Sequence, residues 1–312
     1  MRKRSRLSTR ESSVDQGFSP VGGADSDLRV RLVDRDFGPS DVSAVICTMN
    51  SISGIEQCLT SLRASEVGEI IVVDAHSTDG TLDVAARFAD AVVADPGTGL
   101  GNARNMGIEH TTRPLVLNMG SDNVMPSGQL QRMIDTLIHG EYQGVSAQTI
   151  IEGDDLVSRG LNAWRKGRFI PGPAVVIGTP TLFLGDLLRA HPYDSSRVFS
   201  DDSEICERWE REFGARFAIS DAYVTEVGKT TWPEVMVRCR MYGISDEEIF
   251  RLGRADGWTI PRQARSLTHP LRADLFAPIS HLRASEAVTN APFLVAFTAL
   301  RYAAWARQAM RR

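Results

Sequence analysis

Apolar positions fall in short runs through the first half of the chain, each closed by small or acidic residues. Residues 42 to 48, 70 to 73, 91 to 94 and 115 to 119 read as strands. Between them Ile55, Cys58, Leu59 and Leu62 recur at helical spacing, as do Leu130, Met133, Ile134 and Leu137. Residues 82 to 88 and 102 to 110 supply two further short helices. Strands alternating with short helices predict a mostly parallel sheet covered on both faces.

The alternation is regular to about residue 138. Beyond it, 145 to 151 reads as a strand, 172 to 180 as a bounded apolar run, and 181 to 184 as the lead into a helix. Residues 203 to 212 form a charged amphipathic helix, 217 to 219 and 223 to 225 two short strands, and the chain after 230 is mainly helical. Three regions follow: a Ser-, Gly-, Asp- and Arg-rich flexible extension (1–40), an α/β catalytic domain (41–245) and a helical C-terminal region (246–312).

With 312 residues and 42% hydrophobic composition, the chain can build one large core or two modest ones. The net charge of -4 lacks the basic excess of a nucleic-acid binder. Cys47, Cys58, Cys206 and Cys239 show no ligand spacing and read as reduced thiols of a cytoplasmic protein. No secretory signal or spanning helix is expected. The segment from Pro292 to Ala306 is apolar on most faces but interrupted by Arg301. Such a helix suits the inner membrane interface, and equally suits packing on the catalytic domain or on a second subunit of a homo-oligomer.

The strand ends carry the candidate chemistry. In an α/β sheet, ligands bind beyond the carboxyl ends of the strands. Here those ends are Val45-Ile-Cys-Thr-Met-Asn50, Ile70-Ile-Val-Val-Asp-Ala-His-Ser-Thr-Asp-Gly-Thr81 and Leu115-Val-Leu-Asn-Met-Gly-Ser-Asp-Asn123. Asp74 is placed to accept from a base or ribose, and Asp79 to cap the following turn. Asp122 offers an oxygen ligand for Mg2+ or Mn2+. Arg104 either braces a carboxylate or approaches phosphate. Asp201, Asp202 and Glu204 open the amphipathic helix with more acid than a cap requires, and Asp202 is the candidate general base. Lys229, Trp232 and Arg238 make a basic-aromatic patch suited to a diphosphate or an anionic acceptor.

Taken together these residues resemble the large inverting glycosyltransferases of family 2, with the GT-A fold, over residues 42 to 245. Val73-Asp-Ala-His-Ser-Thr-Asp-Gly-Thr81 matches that family's Val-Asp-x-x-Ser-x-Asp-Gly-Thr pattern, and Ala103-Arg-Asn105 its Ala-Arg-Asn segment. The resemblance implies that Thr48 and Asp74 contact the nucleotide's base or ribose. It places Asn50, Ser77, Arg104, Ser121 and Asp122 in the same donor pocket. It makes Asp122 the metal ligand and Asp202 the base. The family's Asp-x-Asp motif here reads Gly120-Ser-Asp122, so its first carboxylate is missing. The distal Gln-x-x-Arg-Trp motif of processive synthases is also absent from the sequence, which points to single additions.

The implied activity moves one sugar, with inversion, from a nucleotide-diphosphate sugar to a hydroxyl acceptor. UDP is the expected nucleotide. The acceptor is a lipid-linked, saccharide or small natural-product alcohol. Two alternatives stand beside it. A nucleotidyltransferase would need a basic Gly-rich loop where Met49-Asn-Ser-Ile-Ser-Gly54 has none. A non-catalytic nucleotide-sugar-binding or assembly subunit would explain Gly120.

Overall fold

The three strand-end segments lie side by side in the structure, a computed structural model that describes residues 36–195, 201–228, 230–255 and 257–311. Strand β1 (Val42–Thr48) is followed by helix α1 (Ile55–Ala64), β2 (Glu69–Asp74), α2 (Thr81–Phe88), β3 (Ala91–Ala94), α3 (Leu100–Glu109) and β4 (Leu115–Gly120). These strands pair in parallel, in the order β3-β2-β1-β4. Ile55, Cys58, Leu59 and Leu62 are the buried residues of α1, so helical spacing alone located its packing face. Cys58, Cys206 and Cys239 are buried free thiols, and burial pushes those of Cys206 and Cys239 up to about 12.

The second half turns the sheet mixed. It comprises β5 (Asn123–Val124), α4 (Gln129–His139), β6 (Gly144–Ile151), α5 (Leu156–Lys166), β7 (Gly172–Ala174), β8 (Thr181–Leu184), α6 (Gly185–Ala190), α7 (Asp201–Phe213) and β9 (Phe217–Glu226). Residues 181 to 184 lead straight into α6, as the sequence suggests. They form a fully buried strand running antiparallel between β4 and β6. The segment 217 to 226 is one strand rather than two, parallel to β6 with a register shift between Ser146 and Gln148. The edge beyond β9 is closed by β5, while β7 also pairs with β9.

The rest is helical: α8 (Trp232–Ala255), α9 (Ile260–Leu267), a π-helical turn (Leu271–Phe276), α10 (Ala277–His281) and α11 (Ala284–Met310). Residue 245 lies inside α8, so the helices after it continue an element begun before it. No described helix is long and apolar enough to cross a membrane. Phe293, Leu294 and Phe297 of α11 pack in one buried cluster with Leu161 and Trp164 of α5 and with Val235 and Cys239 of α8. Arg301, which interrupts the apolar run, is 4% exposed. Its Nε and Nη2 donate to Asp246 at 2.6 and 2.7 Å, and its Nη1 to Asp274 at 2.7 Å.

α5 meets α11 closely at Gly160, where an added Cβ would stand 2.2 Å from Phe293 Cγ. Interiors packed this densely do not absorb an extra methyl without shifting. Gly160→Ala is therefore expected to lower stability by about 1–3 kcal/mol, read from urea unfolding. An unchanged midpoint would mean that this helix pair slides freely.

Candidate active site

Two neighbouring loops frame the first part of the site. The loop after β1 is knit by hydrogen bonds to the loop after β2 and the first residue of α2. Asn50 N donates to Ser77 Oγ (2.8 Å), Thr78 N to Asn50 Oδ1 (2.8 Å), Ser51 N to Thr81 Oγ1 (2.9 Å) and Ile52 N to Asp79 Oδ2 (3.0 Å). Asp79 also accepts from the Thr81 N–H at 3.1 Å, so it serves the turn, as its place in the sequence suggests. Asn50 holds φ 51°, a left-handed conformation that Asn tolerates better than most residues.

Thr48 and Asp74 are register partners at the ends of β1 and β2. Both are buried, at 5% and 3% exposure. Asp74 Oδ2 accepts from Ser77 N at 2.9 Å. Asp74 Oδ1 and Thr48 Oγ1, in contrast, are buried without a partner among the described residues. Buried polar atoms are nearly always paired, so two orphans on adjacent strand ends mark a place where a polar ligand completes the structure.

Across the β1 end lies the loop carrying Asp122. Ser121 Oγ donates to Ser51 Oγ at 3.0 Å, and a Cβ at Gly54 would stand 3.1 Å from the Ser121 carbonyl oxygen and 3.2 Å from Asp122 Cα. The missing carboxylate at Gly120 has a spatial counterpart. A Cβ there would stand 2.7 Å from Asp122 Oδ1 and 3.0 Å from Asn123 Oδ1. The Asp122 side chain thus sits where a second carboxylate would begin. No group of three or more His, Cys, Asp and Glu side chains suited to a metal occurs among the described residues. A divalent cation that relies on substrate phosphates needs only one or two protein carboxylates. Asp122 fits that role; an all-protein cage does not.

The second part of the site is built on Arg104 in α3. Arg104 is 5% exposed. Nη1 donates to Asp201 Oδ2 at 2.5 Å and to Asp202 Oδ1 at 2.7 Å, Nη2 donates to Thr179 Oγ1, and the guanidinium lies 5.1 Å from the Tyr193 ring centroid. Burial disfavours this charge, but Asp202, Tyr193 and Asp201 together more than restore it. Of the two readings open for Arg104, bracing a carboxylate is the one observed. Asp201 is 8% exposed at its side chain and Asp202 is 23% exposed. Burial pushes the Asp202 carboxyl above the usual carboxylate range; Arg104 opposes this and Asp201 adds to it.

Asp202 borders a cavity of about 670 Å³ enclosed by α5, α8, the 167–179 segment and the π-helical turn. Arg165, Arg168, Arg238 and His269 also line it. Arg238 is held charged against its burial by Tyr242, Glu226 and Asp122, so its field reaches both the cavity and the Asp122 loop. Glu204 and Trp232 lie outside the cavity lining. The Glu204 carboxylate is taken by Arg208 Nε at 2.7 Å, and Trp232 packs 5.6 Å from the Phe293 ring. Lys229 lies outside the described residues.

Sequence reasoning missed Thr179, Arg165, Arg168 and Glu226. Glu226 ends β9 as Asp74 ends β2, so the strand-end rule would have found it had that strand been recognised whole. Arg165-Lys-Gly-Arg168 is a basic string closing an amphipathic helix, an ordinary feature on paper.

A model of "Glycosyl transferase family 2" matches residues 43–198. An uncharacterized glycosyltransferase of Mycobacterium tuberculosis is 32% identical over 99 residues, which are 32% of this chain and 44% of that protein. Glycosyltransferase AglJ of Haloferax volcanii is 29% identical over 103 residues, 33% of this chain and 34% of its own. The match thus spans less than half the length of these curated relatives. Among solved structures, the mannosyltransferase PcManGT of Pyrobaculum calidifontis, in complex with GDP-Man and Mn2+, superposes with a TM-score of 0.60 at 18% identity. That superposition covers 91% of this chain and 93% of that one, and it shows a shared fold.

Proposed function

The chain belongs to glycosyl transferase family 2, and from that premise we propose that it transfers one sugar from a nucleotide-diphosphate sugar, UDP-linked in the first instance, to an acceptor hydroxyl with inversion. The observation that carries this reading is Asp202, a partly exposed carboxylate fixed by Arg104 at the edge of a cavity large enough for an acceptor.

In this reading Thr48 Oγ1 and Asp74 Oδ1 take the polar edge of the base or ribose. Asn50, Ser77 and Ser121 shape the loops around it. A divalent cation, Mn2+ or Mg2+, held by Asp122 and the diphosphate, would neutralise charge on the leaving group. Asp202 accepts the acceptor's hydroxyl proton. The acceptor oxygen bonds to the anomeric carbon, and the bond from that carbon to the diphosphate breaks, leaving its electron pair on the diphosphate. Arg104 and Asp201 orient the base and do not touch substrate. Arg238, between Asp122 and the cavity, serves the diphosphate or the acceptor as it arrives.

The test is release of nucleoside diphosphate from UDP-, GDP- and dTDP-sugars, with and without Mn2+, by the wild-type chain and by Asp122→Ala. One donor should be turned over in a Mn2+-dependent manner, and Asp122→Ala should cut that stimulation by about tenfold or more. Failure of a folded chain to bind any of these donors would overturn the reading in favour of a non-catalytic role.

A further inference from the structure

The cavity beside Asp202 has two kinds of lining. One is apolar, made by Val176, Met241, Ile249, Ala273 and Ala277, with Val176 and Met241 each 44% exposed. The other carries Arg165, Arg168 and Arg238. Glu226 accepts from Arg165 Nη2 at 2.6 Å and from Arg238 Nη2 at 2.9 Å, so among the described residues one carboxylate is shared by two guanidiniums. The Arg165 side chain is 11% exposed, and its Nη1 is buried with no acceptor among the described residues. Arg168 reaches Asp274 only at 3.3 Å, lies 5.3 Å from the Trp164 ring centroid and keeps 32% of its side chain exposed. His269 on the same lining is held below its ordinary pKa by burial and by Arg168 and Arg301, as expected of a wall already rich in positive charge.

A buried guanidinium N–H without an acceptor is costly unless a ligand oxygen completes it. Forked donors of this kind match the oxygens of phosphate. We propose that the cavity receives an acceptor bearing a phosphate-type anion on an apolar body, with the anion on Arg165 and Arg168 and the hydroxyl toward Asp202. The assignment of the hydroxyl rests on the transferase reading; the anion site does not. The phosphate is that of a soluble phosphorylated alcohol or of a lipid headgroup, and the chemistry at the arginines is the same for both.

Calorimetric titration of the full chain with n-octyl phosphate, and with n-octanol as the uncharged match, tests this. Octyl phosphate should bind at least about tenfold more tightly. Arg165→Gln and Arg168→Gln should each weaken it by about fivefold or more, with Arg165→Lys retaining part of the affinity. Urea unfolding of each variant verifies that it is folded. The same titration with saturating UDP and Mn2+ should give unchanged affinity, because the donor subsite is a different place. Sedimentation with phosphatidylcholine vesicles containing phosphatidic acid, lost in Arg165→Gln, would support the proposal with a lipid source. Octyl phosphate binding without vesicle binding would support it with a soluble source. Equal affinity for octanol, indifference to both glutamine variants, or displacement by UDP would overturn it. Octyl phosphate binding by a chain that binds no nucleotide would uphold the anion site while removing the transferase reading.

Discussion

Asp202→Asn is expected to slow sugar transfer by about 10²–10⁴-fold while donor binding stays within about twofold. The amide oxygen can still accept from Arg104, so the start of α7 keeps its anchor and the loss is chemical. The pH profile separates this from a merely structural effect. A base works when deprotonated, and burial raises the Asp202 carboxyl above the ordinary carboxylate range. The rate should therefore fall as pH drops through that raised value, with the acid limb lying above that of a free aspartate. Asp201→Asn removes a neighbouring negative charge that contributes to the elevation, so the limb should move to lower pH. Asn at 202 should abolish the limb. A wild-type acid limb at the ordinary aspartate value, or a near-wild-type rate for Asp202→Asn, would take the base role away from this residue.

Asp274→Ala carries the largest expected cost in stability, about 3–5 kcal/mol in urea unfolding of the full chain. Asp274 is fully buried and accepts from Trp164 Nε1 at 2.8 Å and Arg301 Nη1 at 2.7 Å. Removing it leaves Arg301 buried with one carboxylate, Asp246, instead of two, and leaves the indole N–H without its acceptor. Breaking one partner from a buried ionic cluster costs far more than the cluster is worth against a well-packed apolar one. Asp274→Asn, which keeps an acceptor but loses the charge, should fall between Ala and wild type. A loss under about 1 kcal/mol for Asp274→Ala would mean that water reaches Arg301 freely.

Most of the parallel half of the sheet could be read from the chain because β1, β2 and β4 are buried on both faces and end in polar loop residues. Ile70 to Val73 are continuous apolar residues, and nothing else in the sequence competes for them. The faces of α1 and α4 were legible for the same reason: Leu130, Met133, Ile134 and Leu137 repeat at a helical period and are the residues that α4 buries. Thr181 to Leu184 was not legible as a strand. Three apolar residues after a threonine carry too little periodicity to distinguish a buried strand from the first turn of a helix, and only the gap between β4 and β6 decides it. Strand β9 was divided in two because Ser220 and Asp221 interrupt its apolar pattern where its register with β6 shifts.

The acids at 74, 122 and 202 could be singled out because a carboxylate at a strand end or helix start has few purely local uses. Their partners could not. Arg104 meets Asp202 across 98 positions, and Arg301 meets Asp246 across 55. No local pattern records a pairing at that separation. Arg301 therefore read as an interruption of an apolar helix, when it is the counter-charge for the buried Asp274 and the half-buried Asp246.

That pairing has a consequence for how the protein is made. Translation delivers Asp246 and Asp274 before Arg301. Until α11 leaves the ribosome, both carboxylates lack their shared cation and are better served by water than by a closed interior. The wall of the cavity that Arg301 completes is thus made after the sheet, and the nascent chain holds every described strand before it holds that wall finished.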